Sequence, residues 1–269
     1  MTSAMPNTTI IERTAARLRI ARETGEPCLP LRNILGDKDI DAAYAVQRLL
    51  AEERVAAGAR IVGAKIGLTA PAVQRQFGVY QPDFGVLFDN MIYSHAEPIP
   101  LTSLLQPRVE GELAFVLHRD IDRPGASVAD VLRATDFLLP AIEIVDSRIE
   151  DWDLAITDTV ADNASSGAVV LGATPYSPRG LDLSRLTMTL EHNGTPASSG
   201  TGRACLGSPV VAVTWLAREL VRRGQALRAG DIVMSGALGP MVPISAPGTF
   251  RLRIDGMAEV DAVLERTTE

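Results

Sequence analysis

Two stretches decide how this chain is read: Gln106-Pro107-Arg108-Val109-Glu110-Gly111-Glu112-Leu113-Ala114-Phe115-Val116-Leu117 and Ala141-Ile142-Glu143-Ile144-Val145. Leu113, Phe115 and Leu117 alternate with Glu112, Ala114 and Val116, which is the period of a strand. Glu110 and Glu112 are two residues apart, so strand geometry puts both carboxylates on one face. The run around Glu112 is apolar enough to be covered on both sides, and Glu143 stands alone in a second such run. Burying a carboxylate is costly unless a cation or a shared proton relieves it. Three carboxylates on otherwise apolar strands point to a hard divalent metal with oxygen ligands, Mg²⁺ or Mn²⁺. From spacing alone, the competing reading is a set of hydrogen-bonded or edge-strand glutamates.

Outward from these strands, Ile61 to Ile66 reads as another buried strand, and it carries a lone lysine, Lys65. A buried lysine needs an anion or works with a lowered pKa, which suits acid–base chemistry; alternatively it snorkels from the strand end to solvent. The N-terminal part is helical. Ile11, Ala15 and Leu18 share a face and Gly25 offers a stop, while Asp39 caps a helix through Ala43, Val46 and Leu50 that ends near Gly58. Thr69 and Pro71 open a short helix ending at Gly78, and Tyr80-Gln81-Pro82-Asp83-Phe84-Gly85 reads as a loop. Downstream, Ser127 and Asp130 form a capping-box pattern, and Asn193-Gly194 is a hairpin turn after Leu186–Glu191. Ser208-Pro209 opens a helix to about Arg222, and strands near Asp231–Met234 and Thr249–Ile254 close the chain. The expected class is α+β: a helical N-terminal region over 1–60, then a β-rich body over 61–269, with no clean linker between them.

The 269 residues are 46% hydrophobic and 22% charged, which excludes general disorder. Lys and Arg number 26 against 33 Asp and Glu, a formal charge of −7. With no dense basic block, a nucleic-acid partner is not expected. An anionic substrate must then meet a local positive site, such as a metal or a few placed cations. Cys28 and Cys205 are too few for a disulfide scaffold and lack ligand spacing. The opening residues resemble no leader, and apolar runs such as Val211-Ala212-Val213 are far shorter than a membrane span. A cytoplasmic protein without membrane association is expected.

Other polar features are ambiguous on sequence alone. Asp83 reads as an acid–base partner or, more commonly, an Asx-turn residue. The segment Asp158 to Gly167 is dense in small polar groups, Ser165 among them, and suits a carboxylate ligand or an ordinary capping loop. Ser235-Gly236 follows a strand and is either an anion-binding nest or a turn. His95, His118 and His192 show no ligand spacing, and neither a P-loop nor a dinucleotide fingerprint is present.

Taken in order, Gly63-Ala64-Lys65-Ile66-Gly67-Leu68-Thr69, Gln81-Pro82-Asp83-Phe84-Gly85, Gln106 to Glu112, Ala161 to Gly167 and Gly236-Ala237-Leu238-Gly239-Pro240-Met241-Val242 resemble the 2-hydroxypenta-2,4-dienoate (2-keto-4-pentenoate) hydratases. These belong to the fumarylacetoacetate hydrolase superfamily, and the likeness runs from about Tyr44 to the C-terminus. The resemblance implies a mixed β-roll or barrel-like catalytic body behind a helical N-terminal region. It also implies a divalent metal on Glu110, Glu112 and Glu143, acid–base positions at Lys65 and Asp83, and substrate contacts at Ser165, Ser235 and Gly236. The superfamily's hydrolases use a His–Glu pair in an N-terminal lid. The first histidine here is His95, which disfavours carbon–carbon hydrolysis.

The implied reaction is hydration of 2-hydroxypenta-2,4-dienoate to 4-hydroxy-2-oxopentanoate in meta-cleavage aromatic degradation. An alternative is decarboxylation of 4-oxalocrotonate (2-oxohex-3-enedioate), whose second carboxylate Arg75, Arg108 or Arg148 would have to receive. A non-catalytic stabilising subunit is the third reading, disfavoured because all five metal and acid–base residues are present. A homo-oligomer is expected, with a pathway decarboxylase or aldolase as a candidate partner.

Overall fold

The computed structural model describes residues 8–70, 74–75 and 79–266. Helices α1 (Thr8–Thr24), α2 (Arg32–Leu35) and α3 (Ile40–Ala56) come first. The side chain of Asp39 accepts from the Ala42 amide at 3.0 Å and caps α3 as expected. Ala15 and Leu18 of α1 and Ala42, Ala43 and Val46 of α3 join the same buried cluster as the strands. The helical region therefore shares its core with the β-rich body. The short helix expected between Thr69 and Gly78 falls largely outside the described residues.

Chain order continues as β1 (Ile61–Gly67), β2 (Asp83–Phe88), β3 (Ile92–Ser94), β4 (Pro98–Pro100) and β5 (Pro107–Leu117). Then come α4 (Val128–Ala134), β6 (Thr135–Asp146), α5 (Ile156–Ala161), β7 (Ser166–Leu171), β8 (Thr187–His192) and β9 (Thr195–Thr201). The chain ends with α6 (Pro209–Arg222), β10 (Ile232–Met234), β11 (Val242–Pro243), β12 (Gly248–Ile254) and β13 (Val260–Glu265).

Among the described residues, eight strands form one sheet in the order β2-β1-β10-β5-β6-β7-β3, with β11 pairing on β5. Five more form a second sheet in the order β4-β13-β12-β8-β9. Both sheets are mixed: β1–β10, β3–β7 and β4–β13 run parallel, and the other pairs are antiparallel. The long β5–β6 ladder is the spine of the larger sheet, and Val109, Leu113, Ile142 and Ile144 on it are fully buried. This is the α+β, β-roll architecture that the resemblance implies.

Several local readings hold. Ser127 and Asp130 form a reciprocal capping box at the start of α4. Asn193 and Gly194 turn the β8–β9 hairpin with φ of 49° and 80°, as a two-residue loop of this kind requires.

Other expectations need correction. The segment read as a loop from Tyr80 to Gly85 becomes strand at Asp83 and stays strand to Phe88. Burial of Phe84, Leu87 and Phe88 outweighs the turn preference of Pro82 and Gly85. The strands do not close at Ile254: Val260, Ala262 and Leu264 alternate inward on β13, which supplies the parallel partner of β4. Gly202–Arg222 is also long and apolar enough to cross a membrane by length and composition. Its helical part, α6, packs into the core through Ala212, Val213, Leu216 and Leu220. At 14 residues α6 spans about 21 Å, short of the roughly 30 Å hydrocarbon thickness.

Candidate active site

β5 and β6 pair with Glu110 directly opposite Glu143, and Glu112 follows on the same face of β5. One carboxylate oxygen from each of the three lies within 4.8 Å of the others. Glu112 and Glu143 are buried, and Glu110 is half-buried. Glu112 Oε2 accepts from the Gly236 amide at 2.9 Å, whereas Glu112 Oε1 has no partner. Neither oxygen of Glu143 accepts a hydrogen bond, although Oε1 forms an ion pair with Lys65 Nζ at 3.2 Å. Converging carboxylates with orphaned buried oxygens are costly alone and fit a hard divalent cation.

Electrostatics agree with that fit. Burial, followed by the neighbouring Glu143, pushes the Glu110 carboxyl up to about 7. Burial also raises Glu112 well above the usual carboxylate range, with Glu143 and then Glu110 adding to the effect. A cation at this point would relieve all of these repulsions.

Lys65 projects from β1 and is 2% exposed. Burial pulls its pKa down, but Glu143 and then Asp83, Glu110 and Glu112 outweigh that, so its net shift is upward and it stays an ammonium. Asp83 opens β2 opposite Gly67. A Cβ on Gly67 would lie 2.2 Å from Asp83 Oδ1, so only glycine leaves room for this carboxylate. Asp83 Oδ2 accepts from Thr159 Oγ1 at 2.8 Å, and Oδ1 has no partner. Burial raises the Asp83 pKa, against the opposing pull of Lys65 and the Thr159 hydroxyl.

Lys65, Asp83, Glu110, Thr159 and Ser165 face one cavity of about 410 Å³. Its remaining wall is mostly apolar, with Leu68, Trp152, Leu154, Ile156 and Met241 among the contributors. Ser165 is buried and its hydroxyl has no partner. Ser235 is fully enclosed and does not line this cavity, and the Gly236 amide is committed to Glu112.

Thr159 was not singled out from sequence. The polar stretch that contains it was visible, but its partner lies 76 residues away on β2. Of the arginines considered for a second carboxylate, Arg148 is buried against Asp162, with Nε 2.5 Å from Oδ1. The guanidinium of Arg108 stacks 4.2 Å from the Trp152 ring centroid, and Arg75 is exposed. None of the three lines the cavity.

Residues 61–265 match the fumarylacetoacetate (FAA) hydrolase C-terminal family. The chain is 51% identical over 254 residues to a 2-keto-4-pentenoate hydratase of Paraburkholderia xenovorans (strain LB400), covering 94% of each chain. It is 42% identical over 255 residues to a 2-hydroxyhexa-2,4-dienoate hydratase of Comamonas testosteroni, covering 94% of this chain and 97% of that one. Among solved structures, 4-oxalocrotonate decarboxylase from Pseudomonas putida G7, complexed with magnesium and adipate, gives a TM-score of 0.92 at 30% identity. That match covers 98% of this chain and 100% of the other. The chain therefore belongs to the fumarylacetoacetate hydrolase family and, within it, to the 2-keto-4-pentenoate hydratases.

Proposed function

We propose that the protein is a metal-dependent hydro-lyase that adds water to 2-hydroxypenta-2,4-dienoate, giving 4-hydroxy-2-oxopentanoate in meta-cleavage aromatic degradation. One observation carries this reading: Lys65, Asp83 and, from the carboxylate cluster, Glu110 meet at a single cavity whose remaining wall is mostly apolar. The hydratases at 42–51% identity support it.

Glu110, Glu112 and Glu143 would hold Mg²⁺ or Mn²⁺, which supplies Lewis-acid stabilisation of negative charge on the substrate's C2 oxygen. Ketonisation removes the C2 hydroxyl proton and delivers one to C5, leaving C4 electrophilic. Water then adds at C4 and C3 is protonated. Lys65 Nζ and Asp83 Oδ1 are the groups that give and take these protons. Lys65 remains charged among four carboxylates, and burial makes Asp83 a weaker acid than usual. The unpartnered Ser165 hydroxyl holds the substrate carboxylate. Gly236 acts through the hydrogen bond its backbone N–H donates to Glu112, and Ser235 precedes it in that turn. The apolar wall keeps bulk water from competing with the one water that reacts.

A homo-oligomer in the cytoplasm, alongside a pathway decarboxylase or aldolase, completes the proposal. The test is to incubate purified protein with the dienoate and Mg²⁺ or Mn²⁺ and identify the product by mass. Formation of 4-hydroxy-2-oxopentanoate is expected, and no turnover with either ion would overturn the reading.

A further inference from the structure

Among the described residues, nine non-glycine residues have positive φ, and four of them, Leu68, Trp152, Ala164 and Ser165, line the cavity. Asn163, Ala164 and Ser165 are three consecutive residues of positive φ, at 55°, 50° and 51°. A left-handed turn built from L-residues brings each Cβ against the following carbonyl. Asparagine tolerates this conformation, whereas alanine and serine rarely adopt it. Such a turn persists only where its surroundings over-determine it.

The surroundings here centre on Asn163. Its Oδ1 accepts from the Val86 amide at 2.8 Å, and its Nδ2 donates to the Val86 carbonyl at 2.9 Å. Among the described residues β2 is one of the two edge strands of its sheet, so Val86 has backbone groups facing away from β1, and the Asn163 amide pairs with both of them as a neighbouring strand would. The Ser166 hydroxyl donates to the Asn163 carbonyl at 2.7 Å. A Cβ on Gly85 would lie 2.2 Å from that same carbonyl oxygen, so the glycine admits the turn against β2. Val86 stands three residues beyond Asp83 on the same strand, and Ser165 stands two beyond Asn163. One side-chain amide thus ties the strand that carries Asp83 to the turn that carries Ser165.

We propose that Asn163 is a positioning residue: its paired bonds to Val86 hold the strained turn that aims the Ser165 hydroxyl at the substrate carboxylate, in register with Asp83. The inference rests on the role given to Ser165 above. Had Asn163 only protected a sheet edge, its loss would not depend on whether the Ser165 hydroxyl is present.

The experiment is a double-mutant cycle on the Mg²⁺-loaded protein with Asn163→Gly, Asn163→Ala, Ser165→Ala and the two double variants. Asn163→Gly removes both bonds while glycine accepts the positive φ, so a folded protein remains even if Asn163→Ala fails to fold. Oxalate, a 2-oxo-acid mimic, is titrated calorimetrically for a readout independent of turnover; kcat/KM for the dienoate and Mg²⁺ affinity are measured alongside. Asn163→Gly should weaken oxalate binding and lower kcat/KM by about 10- to 100-fold, the scale expected for a misplaced contact, with Mg²⁺ affinity unchanged. In the Ser165→Ala background the same change should add less than about twofold, because coupled sites are non-additive. Full additivity, or wild-type oxalate affinity and kcat/KM in Asn163→Gly, would overturn the positioning role and leave the hydratase reading intact. An unaffected Ser165→Ala protein would instead remove the carboxylate role of Ser165, and this inference with it.

Discussion

Lys65 Nζ stands 3.2 Å from Glu143 Oε1, and Glu143 in turn faces Glu110 across the β5–β6 ladder. The lysine proposed to transfer protons is therefore also the counter-charge of the carboxylate cluster. Any change at Lys65 acts on both functions, and the two can be separated by adding metal.

Lys65→Met leaves Glu143 buried without its ammonium partner. Removing one member of a buried pair costs about 3–5 kcal/mol. The metal-free variant should be destabilised on that scale in urea, and Mg²⁺ should restore much of the loss by replacing the missing charge. Turnover should still fall by about 10²-fold or more, as expected when acid–base catalysis is lost. A folded, metal-loaded Lys65→Met protein working near the wild-type rate would show the lysine to be structural.

The metal site proposed on the carboxylate cluster should make metal binding depend on pH. Glu110 is raised from an ordinary value near 4.5 to about 7. Between those values the folded metal-free chain binds more protons than the unfolded chain, so its stability falls as pH rises through that window. Metal binding requires the deprotonated carboxylates, so Mg²⁺ affinity should weaken as pH drops below about 7. Calorimetry across this range, with EDTA-treated protein as the start, measures it. Chelation should abolish turnover and Mg²⁺ or Mn²⁺ should restore it. Activity in metal-free Glu112→Gln protein would rule the metal out.

Thr159 tunes Asp83. Its hydroxyl bond to Oδ2 favours the ionised carboxylate and partly offsets the upward push of burial. Thr159→Val should therefore raise the Asp83 pKa further and move the corresponding limb of the kcat–pH profile to higher pH. Thr159→Ser should bring the limb back, because it restores the donor. If Val and Ser give the same profile, the hydroxyl has no part in setting that ionisation.

How much of this was legible in the sequence follows from where each signal resides. Glu110, Glu112 and Glu143 stood out because period-two spacing and apolar neighbours are local facts, and the same holds for Lys65. Asp83 was ambiguous because Pro82 and Gly85 signal a turn, while the strand assignment comes from burial of Phe84, Leu87 and Phe88. The parallel pairing of Lys65 with Met234 joins distant parts of the chain, so only tertiary packing determines it. The Thr159–Asp83 bond and the Asn163 amide on Val86 are long-range in the same way. The enclosure of Ser235 likewise required the packed sheet. Resemblance supplied the roles that local pattern left open.

The far end of the substrate separates hydration from decarboxylation. In both reactions negative charge collects on the C2 oxygen, so the carboxylate cluster cannot tell them apart. 4-Oxalocrotonate carries a second carboxylate, and burying it without a cation would cost several kcal/mol. Here Arg148 is held by Asp162, Arg108 lies over Trp152, and Arg75 is exposed, so none of them presents a charge to the cavity. Leu68, Leu154, Ile156 and Met241 on the wall suit the uncharged end of a dienoate instead. The expected result is rapid hydration of 2-hydroxypenta-2,4-dienoate with little CO₂ from 4-oxalocrotonate. Side-by-side kcat/KM values under saturating Mg²⁺, following dienol absorbance and CO₂ separately, make the comparison. Introducing a cation on the wall, for example Leu154→Arg, should shift the ratio of the two kcat/KM values toward the dicarboxylate. A wild-type preference for the dicarboxylate with stoichiometric CO₂ would reverse the assignment and require Arg108 or Arg148 to leave its present partner.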